Sequence, residues 1–491
     1  MRACIAAVVV AVIALRAAAT PVTVPDPALL AVFRAALNQP AGDIEDTSLA
    51  TLTSLSANAS VGGVIHDLTG IDKCINVTYL ELNDNDLSDP GDLAPLSALV
   101  HCTSMYLTNS AVTTFSGIEG MAALRSLYAW DNQASDLSPL AALTTLEYLG
   151  LSRNPAPNLS PLAALKALTD LIVQDMGITA LTGLEGCTAL KNLAIDNNAF
   201  SDLSPLSGLT HLEEITAYGA IVSDLGPLAG VATLKKINFD HNQITSLTPL
   251  SALTGLTQVL LNSNFFTDIT PLNNHTAVTV MDIGSCPIAD FAPLATLTGL
   301  QTLNANYGPL AALSPLNGLA QLTYLDISGD AINDLAPLLG LGKLATLVAC
   351  NLPASSLVDT QVQTLRNAGV SVQYGNPTCS SGEGEGEGEG EGQPPAAHTA
   401  DQNADNRISL SELLRVIQFY NVGALHCEAG TEDGFAPGPP GDTTCAPHAS
   451  DYNPQDWSIT LSELLRLIQI YNVGAYYPCT GTEDNFCLGS Q

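Results

Sequence analysis

Within Asp401-Gln-Asn-Ala-Asp-Asn-Arg-Ile-Ser-Leu-Ser-Glu412, oxygen donors recur at alternate positions. Asp401, Asn403 and Asp405 offer side-chain oxygens at positions 1, 3 and 5 of a twelve-residue loop. Arg407 offers its main-chain carbonyl at 7, Ser409 occupies 9, and Glu412 at 12 can bind through both carboxylate oxygens. A hard cation such as Ca2+ takes about six to eight oxygens, and this order of donors supplies them. Position 6 turns through positive φ, where glycine is usual; Asn406 is a tolerated substitute. Leu413–Tyr420 then reads as an amphipathic helix leaving the loop.

The helix repeats 51 residues on, where Ile459-Thr-Leu-Ser-Glu-Leu-Leu-Arg-Leu-Ile-Gln-Ile-Tyr-Asn472 copies Ile408–Asn421. The second loop has one additional residue between its second and third donors. Asp451, Asn453, Asp456, Ser458, Thr460 and Glu463 either ring an ion in a widened loop or hold the fold without one. Two calcium loops, each followed by a helix, resemble the dockerin module, a small all-α EF-hand-like domain. That resemblance implies Ca2+ as cofactor and a cohesin-like or surface receptor as partner. The 51-residue spacing, the cysteines and Trp457 depart from the compact dockerin pair, which bears on cohesin binding more than on calcium binding.

The elements that must carry this tail are legible upstream. Alternating Gly and Glu from Gly382 to Glu391, then Gly-Gln-Pro-Pro395, form a flexible, self-repelling tether. Before it, one position recurs every 22 residues: Ser110, Asn132, Asn154, Met176, Asn198, Ala220, Asn242, Asn264, Cys286, Gly308, Asp330 and Leu352. Asn85 and Ser60 precede these at 25-residue steps, giving fourteen turns. A fixed period of this length marks a solenoid of stacked turns. In Leu146-Glu-Tyr-Leu-Gly-Leu-Ser-Arg-Asn154, Leu149 and Leu151 point inward from a short strand, while Glu147, Tyr148, Gly150 and Ser152 point out. A buried Asn amide at Asn154 satisfies main-chain groups that the turn leaves without ladder partners. Leu137, Leu140 and Leu143, three apart, suit a 3₁₀ or short helical back segment begun by Pro139.

Repeats of the form L-x-x-L-x-L-x-x-N-x-[IFA]-[ST]-D-L-[ST]-P-L-x-x-L resemble the internalin-type bacterial leucine-rich repeat over roughly residues 50 to 374. The resemblance implies an α/β leucine-rich-repeat solenoid, curved, with a parallel sheet on its concave face, used to bind a protein or other macromolecule. Met176, Ala220, Gly308 and Leu352 interrupt the Asn spine. Exposed solenoid ends need caps. A helix over Pro25–Leu37 sets Leu29, Leu30, Phe33 and Leu37 on one face for the first turn; a helix over Asp359–Ala368 and a strand over Gly369–Tyr374 close the last. The domains expected are thus a signal peptide (1–19), a helical N-cap (20–50), the solenoid (51–374), a linker (375–396) and the duplicated calcium-loop domain (397–491).

Arg2, an apolar run from Ala3 to Leu15 and Ala17-Ala-Ala19 fit a secretory signal; a membrane anchor or a core helix is the alternative. Cys4 begins the apolar run, which does not suit a lipid-attachment cysteine, and no other stretch approaches the length of a membrane span. Fifteen basic residues against 48 acidic ones give a net charge of −33, which disfavours nucleic acid and anionic membranes and favours cations or basic partners. The same charge also simply keeps a secreted solenoid in solution. Cys74, Cys102 and Cys187 replace core leucines and Cys286 a spine residue, as buried thiols do; Cys74 and Cys102, in adjacent turns, are near enough in the fold to pair. Cys427, Cys445, Cys479 and Cys487 sit in the small tail, where disulfides compensate for a thin core, with three pairings open.

No H-E-x-x-H, G-x-S-x-G or Walker-type loop is present, so binding rather than catalysis is expected. Outward strand positions supply the candidate site: Tyr79, Glu81, Asn83, Tyr106, Tyr128, Trp130, Tyr148 and Tyr218, then Asn238, Asp240, Asn262, Asp282, Asn304, Asn306, Tyr324 and Asp326. At about 4.8 Å per strand the sheet runs on the order of 60 Å, enough for a protein or a polysaccharide chain. The reading is a secreted or cell-surface adhesion or recognition protein with a calcium-stabilised docking tail. The alternatives are a structural envelope or matrix component without a discrete ligand, and an extracellular polysaccharide hydrolase.

Overall fold

The computed structural model describes residues 19–375, apart from Ala289 and Ala354, and four short strands between Leu425 and Leu488. The chain divides into two compact units, Met1–Cys379 and Ser380–Gln491.

In the first unit, strands β1 (Ser54–Ser56), β2 (Tyr79–Glu81), β3 (Ser104–Tyr106), β4 (Ser126–Tyr128) and β5 (Tyr148–Gly150) are followed at 22-residue steps by nine more, to β14 (Thr346–Ala349). With β15 (Ser371–Tyr374) they form one parallel sheet in strict sequence order. Register is constant: Leu127 pairs with Leu149 and Leu149 with Leu171, so each central strand residue adds to one continuous buried column. On the back, 3₁₀ segments such as Ser138–Ala142 carry proline at their start and bury Leu140. Asp136 caps that segment, its Oδ1 accepting from the main-chain N–H of Ser138 at 2.9 Å and from its hydroxyl at 2.6 Å. Asp202, Asp268 and Asp334 repeat the cap, which explains the Asp in the consensus.

The spine is a hydrogen-bonded column. Asn132 Nδ2 donates to the carbonyls of Leu107 and Ala129, while its Oδ1 accepts from the N–H groups of Ser110 and Val112. Ser110 keeps a donor, its hydroxyl reaching the Leu82 carbonyl at 2.7 Å, and Cys286 Sγ reaches the Leu261 carbonyl at 3.2 Å. From the second turn on, the residue before each spine site is left-handed: Asp84, Asn109, Asp131, Arg153, Asp175, Asn197, His241, Ser263, Ser285, Tyr307 and Asn351 have φ between 52° and 61°, and Gly219 and Gly329 occupy two further turns.

The caps form where expected. Helix Pro27–Ala36 buries Ala28, Leu29, Val32 and Phe33. Its N-cap Asp26 accepts from Ala28 and Leu29 through Oδ1 and from His66 and Asp67 of the first turn through Oδ2, so one carboxylate joins cap to solenoid. Burial alone raises its pKa; the four main-chain donors outweigh burial and leave it lowered. At the other end, helix Ser356–Asn367 begins three residues earlier than the periodicity indicates because Ser355 serves as N-cap. Gln361 on this helix accepts from the Leu335 N–H at 2.6 Å. β15 pairs with β14 over four residues.

Cys74, Cys102, Cys187 and Cys286 are buried and free, the buried thiols that the sequence indicates, and the Cys74–Cys102 pairing that adjacent turns allow is not made; Cys350 is disulfide-bonded. Gly150 and Ser152, placed on the outward face, are buried. In the second unit the described segments are strands, Leu425–Cys427 pairing antiparallel with Phe435–Pro437 and Tyr476–Pro478 with Phe486–Leu488, while the helices expected after each calcium loop lie outside the described residues. The two pairs repeat at the same 51-residue offset as the loops, so each copy carries a hairpin that an all-α reading omits.

Candidate functional site

The solvent face of the sheet holds two chemically distinct regions. Toward the N-terminus the constant register brings tyrosines of successive turns into contact. Tyr79 and Tyr106 lie 5.3 Å apart between ring centroids; Tyr106 and Tyr128 stack at 4.3 Å with planes 1° apart; Tyr128 and Tyr148 stack at 4.4 Å. Trp130 meets the edge of this column, 5.7 Å from Tyr128 at 84°. Stacked and edge-to-face pairs of this kind each contribute about 0.5–1.5 kcal/mol beyond area burial.

Gly150 makes the arrangement possible. A Cβ there would lie 2.3 Å from Trp130 Nε1 and 2.7 Å from Cε2, so the indole occupies the volume that a side chain would take. This is why Gly150 is buried on a face that points outward. Trp130 Nε1 is itself buried, with no acceptor among the described residues. Burial, together with Tyr128, Asp170 and Tyr106, pushes the Tyr148 hydroxyl up to about 12, and Tyr79 and Tyr128 are also raised, burial first. These hydroxyls therefore stay protonated, as donors, through the physiological range. Glu81 closes the N-terminal end, accepting from the Ser56 hydroxyl at 2.7 Å and Asn58 Nδ2 at 3.2 Å.

Toward the C-terminus the face is an amide and carboxyl lattice. Asp282 accepts from Asn304 Nδ2 at 2.9 Å, Asn262 Nδ2 at 3.2 Å and the Gly284 N–H at 3.0 Å. Asp240 accepts from the Asn262 N–H at 2.7 Å, and Asp326 from Asn306 Nδ2 at 3.1 Å and the Ser328 N–H at 2.8 Å. Burial, with Asp282 nearby, raises Asp240 to about 7; burial raises Asp282 as well. The carboxylates are thus largely committed to neighbouring turns, while Asn304 Oδ1 is buried with no hydrogen-bond partner among the described residues.

The structure thus gathers Tyr79, Tyr106, Tyr128, Trp130 and Tyr148 into one cluster and Asp240, Asp282, Asn304 and Asp326 into another. Tyr218 belongs to neither; it packs on His241 at 4.9 Å. Sequence reasoning missed the mutual stacking, whose signal was Tyr at the same position of adjacent turns for Tyr106 and Tyr128 and two residues earlier in the strand for Tyr79 and Tyr148, and the indole seat, whose signal was a lone Gly in a strand. Exposed cross-turn ion pairs join Arg125 with Glu147, Arg153 with Asp131 and Lys236 with Glu214. The calcium-loop residues Asp401, Asn403, Asp405, Arg407, Ser409 and Glu412, and Asp451, Asn453, Asp456, Ser458, Thr460 and Glu463, lie outside the described residues, as do the signal segment, apart from its last residue, Ala19, and the Gly-Glu tether. Among the described residues no helix is long and apolar enough to cross a membrane.

Solved structures resemble this chain. An internalin of Listeria monocytogenes is 31% identical, the match covering 66% of this chain and 95% of that one, with a TM-score of 0.61. The functional domain of InlJ from the same organism, which includes a cysteine ladder, is 25% identical over 67% of this chain and 70% of that one, with a TM-score of 0.51. A leucine-rich-repeat protein of Leptospira interrogans, 16% identical over 67% and 97% of the two chains, shares the fold at a TM-score of 0.57. No family model and no curated protein matches the chain. With the asparagine spine, the 22-residue turn and an internalin matched over nearly its whole length, the chain belongs to the internalin-type leucine-rich-repeat family.

Proposed function

We propose that this chain is a secreted or cell-surface recognition protein that grips a protein partner with the tyrosine ladder of its concave face. The observation that carries the reading is the stacking of Tyr106, Tyr128 and Tyr148. A polysaccharide platform needs free aromatic faces against which sugar C–H groups lie flat. Here the faces are consumed by neighbouring rings, and what remains for a partner is a row of ring edges and protonated hydroxyls beside Glu81. Such a row suits the mixed apolar and hydrogen-bonding surface of a protein, where Tyr and Trp are favoured anchors. The reading extends to the tail: Asp401 through Glu412 holds Ca2+ and the duplicated module anchors the chain to a surface or assembly.

The test compares binding of the full chain to extracellular-matrix and cell-surface preparations treated separately with protease and with glycosidases. Binding lost to protease, kept after glycosidase, and lost in a Tyr106→Ser/Tyr128→Ser/Tyr148→Ser variant with unchanged melting supports a protein partner; loss to glycosidase alone assigns a glycan. Calcium titration of the full chain beside Asp401→Ala/Glu412→Ala tests the tail: saturable heat absent from the variant supports the first loop as a Ca2+ site, and equal heats in both remove it.

A further inference from the structure

Asp330 occupies the spine position of the thirteenth turn, where other turns use asparagine, and it is 2% exposed. Its Oδ1 does what an asparagine carbonyl does, accepting from the Gly308 N–H, 22 residues back, at 3.0 Å, and the main-chain N–H of Leu310, 20 residues back, also favours the charged form of this carboxyl. In the tenth turn Asn264 uses its other arm, Nδ2, to donate to the carbonyls of Phe239 and Leu261, 25 and 3 residues back, at 2.8 and 2.9 Å. The equivalent carbonyls for Asp330 are those of Ala305 and Ile327, which are acceptors only. Asp330 Oδ2 is buried and has no hydrogen-bond partner among the described residues. An ionised carboxylate would set a bare anionic oxygen in a slot built for a donor, and a buried unpaired charge is costly.

We infer that Asp330 is a neutral carboxylic acid in the folded chain, its Oδ2–H donating in place of the asparagine amide, so that the joint between the twelfth and thirteenth turns loosens when this proton leaves. The charged surroundings agree. Residues 302–312, 324–334 and 346–353, the facing stretches of the twelfth, thirteenth and fourteenth turns, contain no Lys, Arg or His. Their titratable groups are Tyr307, which is exposed, Tyr324, Asp326, Asp334 and the disulfide-bonded Cys350; Asp326 adds a like charge. Burial, then Asp326, places the Asp330 carboxyl at about 7, against an ordinary value of 3.8.

The sign follows by linkage. The folded chain holds a proton that the unfolded chain releases near 3.8, so the contribution is fully present below that pH and is lost as pH rises to about 7. Thermal melts of the full chain and of Asp330→Asn from pH 5 to 9 test this. The variant should fold, asparagine being the usual spine residue. Its advantage in melting temperature over the parent should widen from pH 5 to pH 8 and then level off. A gap independent of pH, or a variant less stable throughout, overturns the inference. Infrared spectra supply a second readout, taken in an Asp240→Asn background so that the other carboxyl raised to about 7 does not contribute: the carboxylic-acid C=O band at pH 6 should be reduced on adding Asp330→Asn. A spectrum unchanged by Asp330→Asn also overturns it.

Discussion

At the residue scale, a missing side chain decides the shape of the candidate site. Gly150 is needed because Trp130 fills the space above it. Gly150→Ala should displace the indole at modest cost in stability, because the obstructing group is a side chain that can move. Tryptophan emission, read in a Trp457→Phe background so that only Trp130 reports, should shift to the red and become more accessible to iodide; unchanged emission would refute the seat. The four free thiols make a second residue-scale expectation. Burial pushes Cys74 and Cys286 to about 12, and Cys102 and Cys187 to about 11. All four should resist thiol reagents in the native chain and react together on unfolding, whereas fast native labelling would contradict their burial. Residue identity made the core legible, since Leu127, Leu149 and their equivalents can only point inward. It did not make ring stacking legible, because the pattern L-x-L gives Tyr128 a face and says nothing of the distance to Tyr148. It likewise allowed Cys74 and Cys102 to pair, a matter of geometry rather than of spacing.

At the element scale, each turn after the first depends on a left-handed residue that the repeat consensus conceals. Asp84, Arg153 and Tyr307 share no chemistry, so sequence gives no hint that they share a conformation; the constraint arises from the sharp turn into the spine asparagine. A left-handed conformation costs an L-residue roughly 1–2 kcal/mol, and more when the side chain is β-branched. Asp175→Val should therefore lower stability in urea by about that amount while Asp175→Asn changes it little, because Asn tolerates this region. Equal effects of the two would argue against the assignment. The N-cap shows the same dependence on one group. Asp26→Ala should cost about 1–2 kcal/mol through loss of the helix cap, and more through the His66 and Asp67 donors left without an acceptor. Because the folded carboxyl is lowered, its contribution is present above the unfolded value near 3.8 and disappears as pH falls through the folded value. The deficit of the variant should accordingly shrink in acid; a deficit constant from neutral pH to pH 2 would show that charge plays no part.

At the scale of the whole molecule, fourteen turns and a closing strand give a long sheet whose N-terminal portion gathers rings and hydroxyls into one continuous cluster, while aromatic residues of later turns, such as Tyr218 and Tyr307, stand apart from it. The remainder spends its polar groups on itself, through the Asp240, Asp282 and Asp326 lattice. The period of the solenoid follows from the chain's repetition, which sequence displays directly. Which outward residues remain available to a ligand does not, because availability depends on whether Asn262 or Asn304 already occupies each carboxylate. The most direct measurement places a photo-crosslinking phenylalanine at Tyr106, on the ladder, and in a second preparation at Ser251, on an exposed back segment. Full chains bound to a cell-surface preparation and irradiated should yield a discrete protein adduct from position 106 and none from position 251. Adducts of equal yield from both positions, or from position 251 alone, would contradict a partner held by the concave face.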